Sequence, residues 1–362
     1  MTDSLRIGLI GCGDIATKAH VNHLAEAGYT LCAAYNPTRS KAEKVVEKFG
    51  GANALACNSL DELLAISHID VVSITSPPAH HCEQVCQALS AGKHVLCEKP
   101  SALIPEENLR IMEAQRISGK KVCFFSSRQR YAPIALKAKE YIEDGKLGEV
   151  YRIQARFARR KARPGVDWLT HASWFTDKDK AGGGVVLDMG QYLLDMILDL
   201  LNWPEVESLN ATTFKGFPHD LPEDRVNDVE EISSIFIRTT SGPLITIDLS
   251  ATIVDDPIHS IAILGTKAGI DIQYSDTSSK IVYLHEPSGK RGALEEVVID
   301  EGHDGWASKE IYQRFHSAIV NDQETPGTTP EQALRLTTLC QIAYRSAEEK
   351  TEIQLAAKTP SA

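Results

Sequence analysis

Along residues 5–125, short apolar runs alternate with stretches whose apolar positions recur every three or four residues. The runs "LRIGLI", "YTLCAAY", "IDVVSIT", "KHVLCE" and "KVCFF" predict buried strands. Between them the helical period predicts helices near 14–27, 38–48, 60–66, 80–91 and 105–118. That alternation predicts a parallel sheet with helices on both faces. Past residue 125 the rhythm changes. "EVYRIQARFARR", "EISSIFIRTT", "PLITIDLSATI", "SIAILG" and "KIVYLHE" follow one another with one clear intervening helix, 185–201. This order predicts a mostly antiparallel sheet with helices on one side. Two more helices, near 308–321 and 330–349, end the pattern. The expected fold is α/β, with one domain over 1–127 and a second, α+β, over 128–362.

Composition agrees with two domains. The chain has 362 residues, and single cores stop growing near ~250–300 residues. Hydrophobic residues make up 43% and charged residues 24%, the values of an ordinary globular protein. A net charge of −11 argues against nucleic acid or an anionic membrane as partner, because both would repel it. The eight cysteines form no CxxC pair, and several lie inside apolar runs. They read as reduced, buried thiols, and no metal site is expected. Cys82 and Cys86 stand one helical turn apart, and a metal there would need further ligands. The start "MTDSLRIGLIGCGD" does not read as a signal peptide, and no uninterrupted apolar stretch reaches the ~18 residues of a membrane span. The expected location is the cytoplasm.

Chemistry enters with the glycines. "RIGLIGCGDIATKAH" sets Gly11, Gly13 and Ala16 as G-x-G-x-x-A between a predicted strand and a predicted helix. The first glycine allows the turn, and the second lets backbone amides approach a pyrophosphate at the helix N-terminus. Asp14 and Ile15 share that turn and join the cofactor candidates. NAD sites place a carboxylate at the end of the second strand; here Asn36 stands there, followed by Thr38, Arg39, Ser40 and Lys41. Without that carboxylate a 2′-phosphate meets no repulsion, and Arg39 offers it a bidentate fork. NADP is therefore favoured over NAD.

Two further stretches gather polar residues where an apolar core would not. In "SPPAHHCEQVCQALSAGKHVLCEKP", 76–100, a strand ends in Glu98-Lys99-Pro100, at the edge where parallel sheets bind ligands. Ser76, Pro77 and His81 open the same segment and are candidate cofactor contacts. In "AGGGVVLDMGQYLLDMI", 181–197, Asp188, Tyr192 and Asp195 follow at spacings of four and three, on one helical face. The loop "RRKARPGVDWLTHASWFTDKDK" mixes arginines, His171 and two tryptophans, and Arg163 and Trp174 are candidate substrate contacts. His303 and Trp306 in "EGHDGW" are further candidates of unfixed direction.

With "GLIGCGDIA", the EKP segment, "RYAPIALKAKEYIEDGKLGEVYRI" and "GGGVVLDMGQYLLD" in this order, nearly the whole chain resembles the Gfo/Idh/MocA family of oxidoreductases. The resemblance implies an N-terminal Rossmann dinucleotide-binding domain and a C-terminal α/β domain with an open sheet for substrate and oligomer contacts, as a dimer or tetramer. It implies that Lys99 points at the substrate oxygen, that Glu98 helps seat the nicotinamide ribose, and that a cis bond precedes Pro100. In the family's sugar and inositol dehydrogenases, the helix pattern is an Asp, a His four residues on, and an Asp three beyond. Asp188 and Asp195 match; Tyr192 stands in the histidine's place, as in related tyrosine-bearing branches.

Proton movement at a carbinol oxygen needs a donor–acceptor with a suitable pKa. A phenol near pKa ~10 is a poor base alone, but a neighbouring ammonium makes it more acidic. The expected catalytic group is Lys99, Tyr192 and Asp188, with Asp188 and Tyr192 also binding substrate. Asp195 is expected to brace the turn, and Gly182, Gly183 and Gly184 to let the chain approach the nicotinamide. The function implied is NAD(P)-dependent hydride transfer with a sugar, polyol or related cyclic alcohol or carbonyl. The alternatives are a glycosidase working by transient oxidation and a non-catalytic dinucleotide sensor.

Overall fold

The computed structural model describes residues 4–240, 242–274, 278–285, 295–302 and 308–355. His303 and Trp306 lie outside the described residues. The chain divides into two compact units, Met1–Arg128 with Trp306–Thr337, and Gln129–Gly305 with Thr338–Ala362.

The first unit is built on six strands: β1 (Leu5–Ile10), β2 (Tyr29–Tyr35), β3 (Leu55–Cys57), β4 (Val71–Ile74), β5 (His94–Cys97) and β6 (Val122–Phe124). Their order is β3-β2-β1-β4-β5-β6, and every pair is parallel. β4, with all four residues buried, shows why the strands read as continuous apolar runs: the sheet is covered on both faces. Strand order reverses between β1 and β4, which places the ligand crevice of such sheets at their carboxyl ends. Ile10 pairs with Tyr35 and Ile74, and Ile74 with Cys97. Gly11, Asn36, Thr75 and Glu98 therefore leave the sheet at one level.

Three features depart from expectation here. β3 is only three residues and gives no readable pattern. The helix expected over 14–27 is a wide π-type turn, Ala16–His20, followed by a tight turn, Val21–His23. The third is the segment Trp306–Thr337, which the domain bounds placed after residue 127 while leaving open where its helices pack, and which groups with the first unit. Its helix Ser308–Val320 inserts Tyr312, fully buried, against Tyr29 and Phe125 at ring distances of 5.7 and 5.4 Å. A ring of that size gains about 2–3 kcal/mol from burial, which explains the return.

The second unit is a nine-stranded sheet of β7 (Val150–Ala158), β8 (Val206–Phe214), β9 (Ile232–Thr239), β10 (Leu244–Ser250), β11 (Ile258–Gly265), β12 (Ala268–Tyr274), β13 (Ser278–His285), β14 (Glu295–Gly302) and β15 (Ile353–Gln354). The order is β14-β13-β12-β11-β7-β10-β9-β8-β15, antiparallel except for the β7–β10 pair. Alternation is clean: Ser233, Ile235, Ile237 and Thr239 of β9 are buried while Ser234 and Arg238 are exposed. The helical segment from Val186 to Leu200 lies on the buried face, with Gly190 close over Leu249 of β10. No helix among the described residues is long and apolar enough to cross a membrane.

Candidate active site

In the first unit the glycine turn separates two tasks. Gly11 has φ +91°, and a Cβ there would lie 2.7 Å from the Ser76 amide nitrogen, so this glycine packs β1 against the turn after β4. A Cβ at Gly13 would meet nothing within 4 Å. Ala16 is fully buried, as close packing of the turn requires. Open space beside Gly13 at the start of the turn Ala16–His20 fits a pyrophosphate, so the residues present suit a dinucleotide. Asp14 and Ile15 are half-buried, and Asp14 pairs with Lys18 at 3.5 Å.

Asn36 does not present its amide to a ribose in this structure. Its Oδ1 accepts the Cys12 N–H at 3.0 Å and its Nδ2 donates to the Thr38 carbonyl at 3.1 Å, tying β2 to the glycine turn. Thr38, Arg39 and Lys41 are exposed beside it. The Arg39 Nε donates to Glu43 at 2.8 Å, and the guanidinium also contacts Asn58.

The EKP segment is backed by a chain of buried hydrogen bonds. The His20 Nε2 lies 3.0 Å from Glu98 Oε1, and its Nδ1 lies 3.0 Å from the Tyr312 hydroxyl, which in turn lies 2.7 Å from Ser73 Oγ. A neutral imidazole satisfies the whole chain by donating from Nε2 to the carboxylate and accepting the phenol proton at Nδ1. Burial lowers the His20 pKa in keeping with that form. Arg128 Nη2 also donates to Glu98 Oε1, and the Lys99 N–H donates to Oε2 at 3.0 Å. Burial raises the Glu98 pKa, but the Arg128 charge and the His20 hydrogen bond outweigh it and hold the carboxyl well below the usual range. Glu98, 5% exposed, thus fixes the Lys99 backbone. Lys99 is half-buried and the Lys99–Pro100 bond is cis, as the resemblance implied.

His81 is corrected from cofactor contact to brace. It is fully buried, with Nδ1 2.6 Å from the Pro100 carbonyl and Nε2 2.8 Å from that of Ser76. A ring with no exposed surface and both nitrogens facing backbone has nothing left for a ligand. Ser76 and Pro77 remain half-buried at the crevice, with Ser76 Oγ donating to Gln84 at 2.6 Å.

In the second unit the three-residue polar stripe divides. From Val185 to Leu200 every residue is buried except Asp188, Tyr192 and Asp199. Asp195 is fully buried and bonded to Arg130, whose Nη2 donates to Oδ2 at 2.7 Å. It braces, as expected. Asp188 stands in the wide π-type turn Val186–Gly190, a form frequent at functional sites, and Tyr192 in the helix Gln191–Leu200.

The three glycines before that turn are filled by protein. Gly182 ends a short helix at φ +80°. A Cβ at Gly183 would lie 1.9 Å from the Tyr344 hydroxyl, and one at Gly184 would lie 1.9 Å from the Glu230 carbonyl oxygen. The Glu230 carboxylate accepts the Gly184 N–H at 2.8 Å on Oε2, and the Val186 N–H and Tyr344 hydroxyl, each at 2.9 Å, on Oε1. The expectation that Gly183 and Gly184 serve approach to the nicotinamide is corrected: they admit Tyr344 and Glu230.

Arg163 is likewise corrected. All five guanidinium N–H groups have protein acceptors: Asp167 twice, at 2.9 and 3.0 Å, Glu231 at 2.7 Å, and the carbonyls of Phe217 and Pro218 at 3.5 and 3.0 Å. None remains for a substrate. Trp174 is half-buried and stacked on Phe175, ring centroids 3.6 Å apart, with part of its surface accessible. Sequence reasoning missed His20, Arg128, Tyr312, Glu230 and Tyr344. His20 lay inside the glycine motif, but its partners are 78 and 292 residues away, beyond any local pattern.

Comparison with known proteins adds independent findings. A model described as "Oxidoreductase family, NAD-binding Rossmann fold" matches residues 5–125, and one described as a GFO/IDH/MocA C-terminal domain matches residues 135–271. The chain is 29% identical over 373 residues to D-glucoside 3-dehydrogenase of Escherichia coli (strain K12), covering 98% of this chain and 99% of that protein. Its fold matches levoglucosan dehydrogenase, solved with NADH and L-sorbose, at a TM-score of 0.84 and 20% identity, covering 97% and 99% of the chains. It also matches aldose-aldose oxidoreductase from Caulobacter crescentus, solved with glycerol, at 0.81 and 21%, covering 97% and 100%.

Proposed function

The chain belongs to the GFO/IDH/MocA family of oxidoreductases, and from that premise we propose that it oxidises a ring hydroxyl of a sugar or glycoside, with Lys99, Tyr192 and Asp188 at the reacting alcohol. It is an NAD(P)-dependent oxidoreductase acting on CH–OH groups, in a family of sugar and polyol dehydrogenases. The observation that carries the residue assignment is the placement of Lys99: half-buried at the end of β5, with its backbone held by the Glu98 carboxylate. The E. coli relative, matched over nearly its whole length, supports a glucoside as substrate class. Names of dehydrogenases and an oxidoreductase among the relatives favour this reading over a glycosidase or a sensor.

When bound, the nicotinamide supplies or receives the hydride. Gly11, Gly13, Asp14 and Ile15 would hold its pyrophosphate side, and Ser76, Pro77 and Lys99 its nicotinamide side. Lys99 and Tyr192 hold and move the proton at the substrate oxygen, and Asp188 orients neighbouring hydroxyls. Trp174 offers an aromatic face to the ring. NADP is the cofactor we favour, because β2 ends in a neutral Asn36 already engaged with the glycine turn, and Thr38, Arg39 and Lys41 stand exposed beyond it. None of the eight cysteines is in a disulfide, which supports the cytoplasm as its location. A homo-oligomer, dimer or tetramer, is the assembly the family resemblance favours, to be read by light scattering.

The test is a screen of methyl glucosides, levoglucosan, myo-inositol and aldoses for reduction of NADP and NAD. At least one sugar should turn over in the wild type and be lost in Lys99→Ala. Full turnover by Lys99→Ala would sink the assignment of Lys99, and equal affinity for NADPH and NADH the cofactor preference.

A further inference from the structure

The turn that carries Asp188 has no cap of its own. Residues 182–184 are glycines, and Val185, which precedes the turn, makes no side-chain cap. An uncapped start leaves amide donors unsatisfied and frays. Here the missing acceptor comes from far along the chain. Glu230 spans the turn with both carboxylate oxygens, Oε2 on the Gly184 N–H and Oε1 on the Val186 N–H, and its own carbonyl accepts the Val185 N–H at 3.3 Å. Tyr344, on the helix Pro330–Glu349, donates its hydroxyl to Oε1 and so fixes the carboxylate's rotation. A negative charge at a helix N-terminus is favourable in addition to these bonds.

We propose that Glu230 and Tyr344 are positioning residues for the reaction: together they clamp the first turn of the helix and thereby set where Asp188 and Tyr192 stand. The glycines follow from this clamp, since a side chain at Gly183 or Gly184 would occupy the place of the Tyr344 hydroxyl or the Glu230 backbone. The Asp188 N–H donates to the Gly184 carbonyl at 2.9 Å, so the residue that Glu230 grips is the one that anchors Asp188. Two bonds on two oxygens resist both sliding and rotation of the turn. The neighbouring Glu231 faces the other way, to Arg163 and the Gly216 and Phe217 amides, and does not share the task. The proposal rests on the reading that Asp188 and Tyr192 act at the reacting alcohol.

The experiment compares Glu230→Gln and Tyr344→Phe with Ile263→Val, a core substitution in β11 that lowers stability without touching the turn. Turnover of methyl β-D-glucoside with NADP, NADPH affinity by fluorescence and amide exchange over 184–192 are measured on the full chain. Displacing reacting groups by a fraction of an ångström costs about tenfold or more in rate. Glu230→Gln should lower kcat by about tenfold and Tyr344→Phe by a smaller factor, both with NADPH affinity unchanged and faster exchange over 184–192. Ile263→Val should keep kcat. If Glu230→Gln leaves kcat or exchange over 184–192 as in the wild type, the clamp is overturned while the reading of Asp188 and Tyr192 stands. If Asp188→Asn and Tyr192→Phe both retain full kcat, the underlying reading fails instead.

Discussion

Both units present a glycine cluster that leads into a wide π-type turn, and both turns are backed by a glutamate. The resemblance ends there. In the first unit Gly13 faces open space and Glu98 is held by Arg128 and His20. In the second, Gly183 and Gly184 are filled by Tyr344 and Glu230, and the glutamate accepts from the neutral Gly184, Val186 and Tyr344 donors. A glycine before a helix therefore carries two opposite meanings. One leaves room for a ligand, and the other admits the protein's own groups.

The largest effect should come from the charged glutamate. Removing one partner of a buried pair leaves the other uncompensated and costs about 3–5 kcal/mol. Glu98→Gln should lose that much in chemical denaturation, because Arg128 and Glu98 are both nearly inaccessible. A loss below about 1 kcal/mol would show that the first unit's glutamate is no better anchored than an exposed one. Next in size is Gly184→Ala. Its Cβ meets a backbone oxygen at 1.9 Å, which no rotamer can relieve, so about 3 kcal/mol should be lost.

Gly13→Ala should behave in the opposite way. With nothing within 4 Å, thermal stability should stay at the wild-type value while dinucleotide affinity falls by about tenfold, or 1.4 kcal/mol. Titration by nicotinamide fluorescence checks the affinity, and unchanged binding would erase the contrast between the two clusters.

The smallest effects, but opposite in sign, concern pH. Glu98 has a folded pKa held below its unfolded value of about 4.3, so it binds fewer protons when folded. Its stabilising contribution is present above that pH and is lost as pH falls toward the folded value. Burial pushes the Glu230 carboxyl up, against the pull of the Val186 and Gly184 amides. Its contribution is full below about 4.3 and is lost as pH rises through the raised folded value. Stability measured against pH should therefore lose an acid-side slope in Glu98→Gln and the reverse slope in Glu230→Gln. Slopes of the same sign would overturn the comparison.

Where local pattern carries information, the elements were legible. β1 and β2 coincide with their apolar runs, and the helices Arg39–Phe49 and Pro105–Ser118 fall on their periodic stretches. The strands β3, β8, β12, β14 and β15 were missed. β8 is exposed at Thr212, Thr213 and Phe214, so its apolar run is interrupted, and β3 is shorter than any period. The sequence pattern singles out Gly11, Gly13, Lys99, Asp188 and Tyr192 because their chemistry sits at fixed local spacing.

What determined the remainder is distance along the chain. The sequence by itself specified the parallel sheet, the cofactor turn, the lysine at the end of β5 and the stripe on the helix, since each depends on neighbours within a turn or a strand. Only the tertiary structure decided that His81 and Arg163 brace, that Tyr312 returns to complete the first unit, and that Glu230 caps a turn 46 residues upstream. A buried polar group takes whatever partner the fold brings within hydrogen-bond reach, and that partner leaves no mark on the residues beside it.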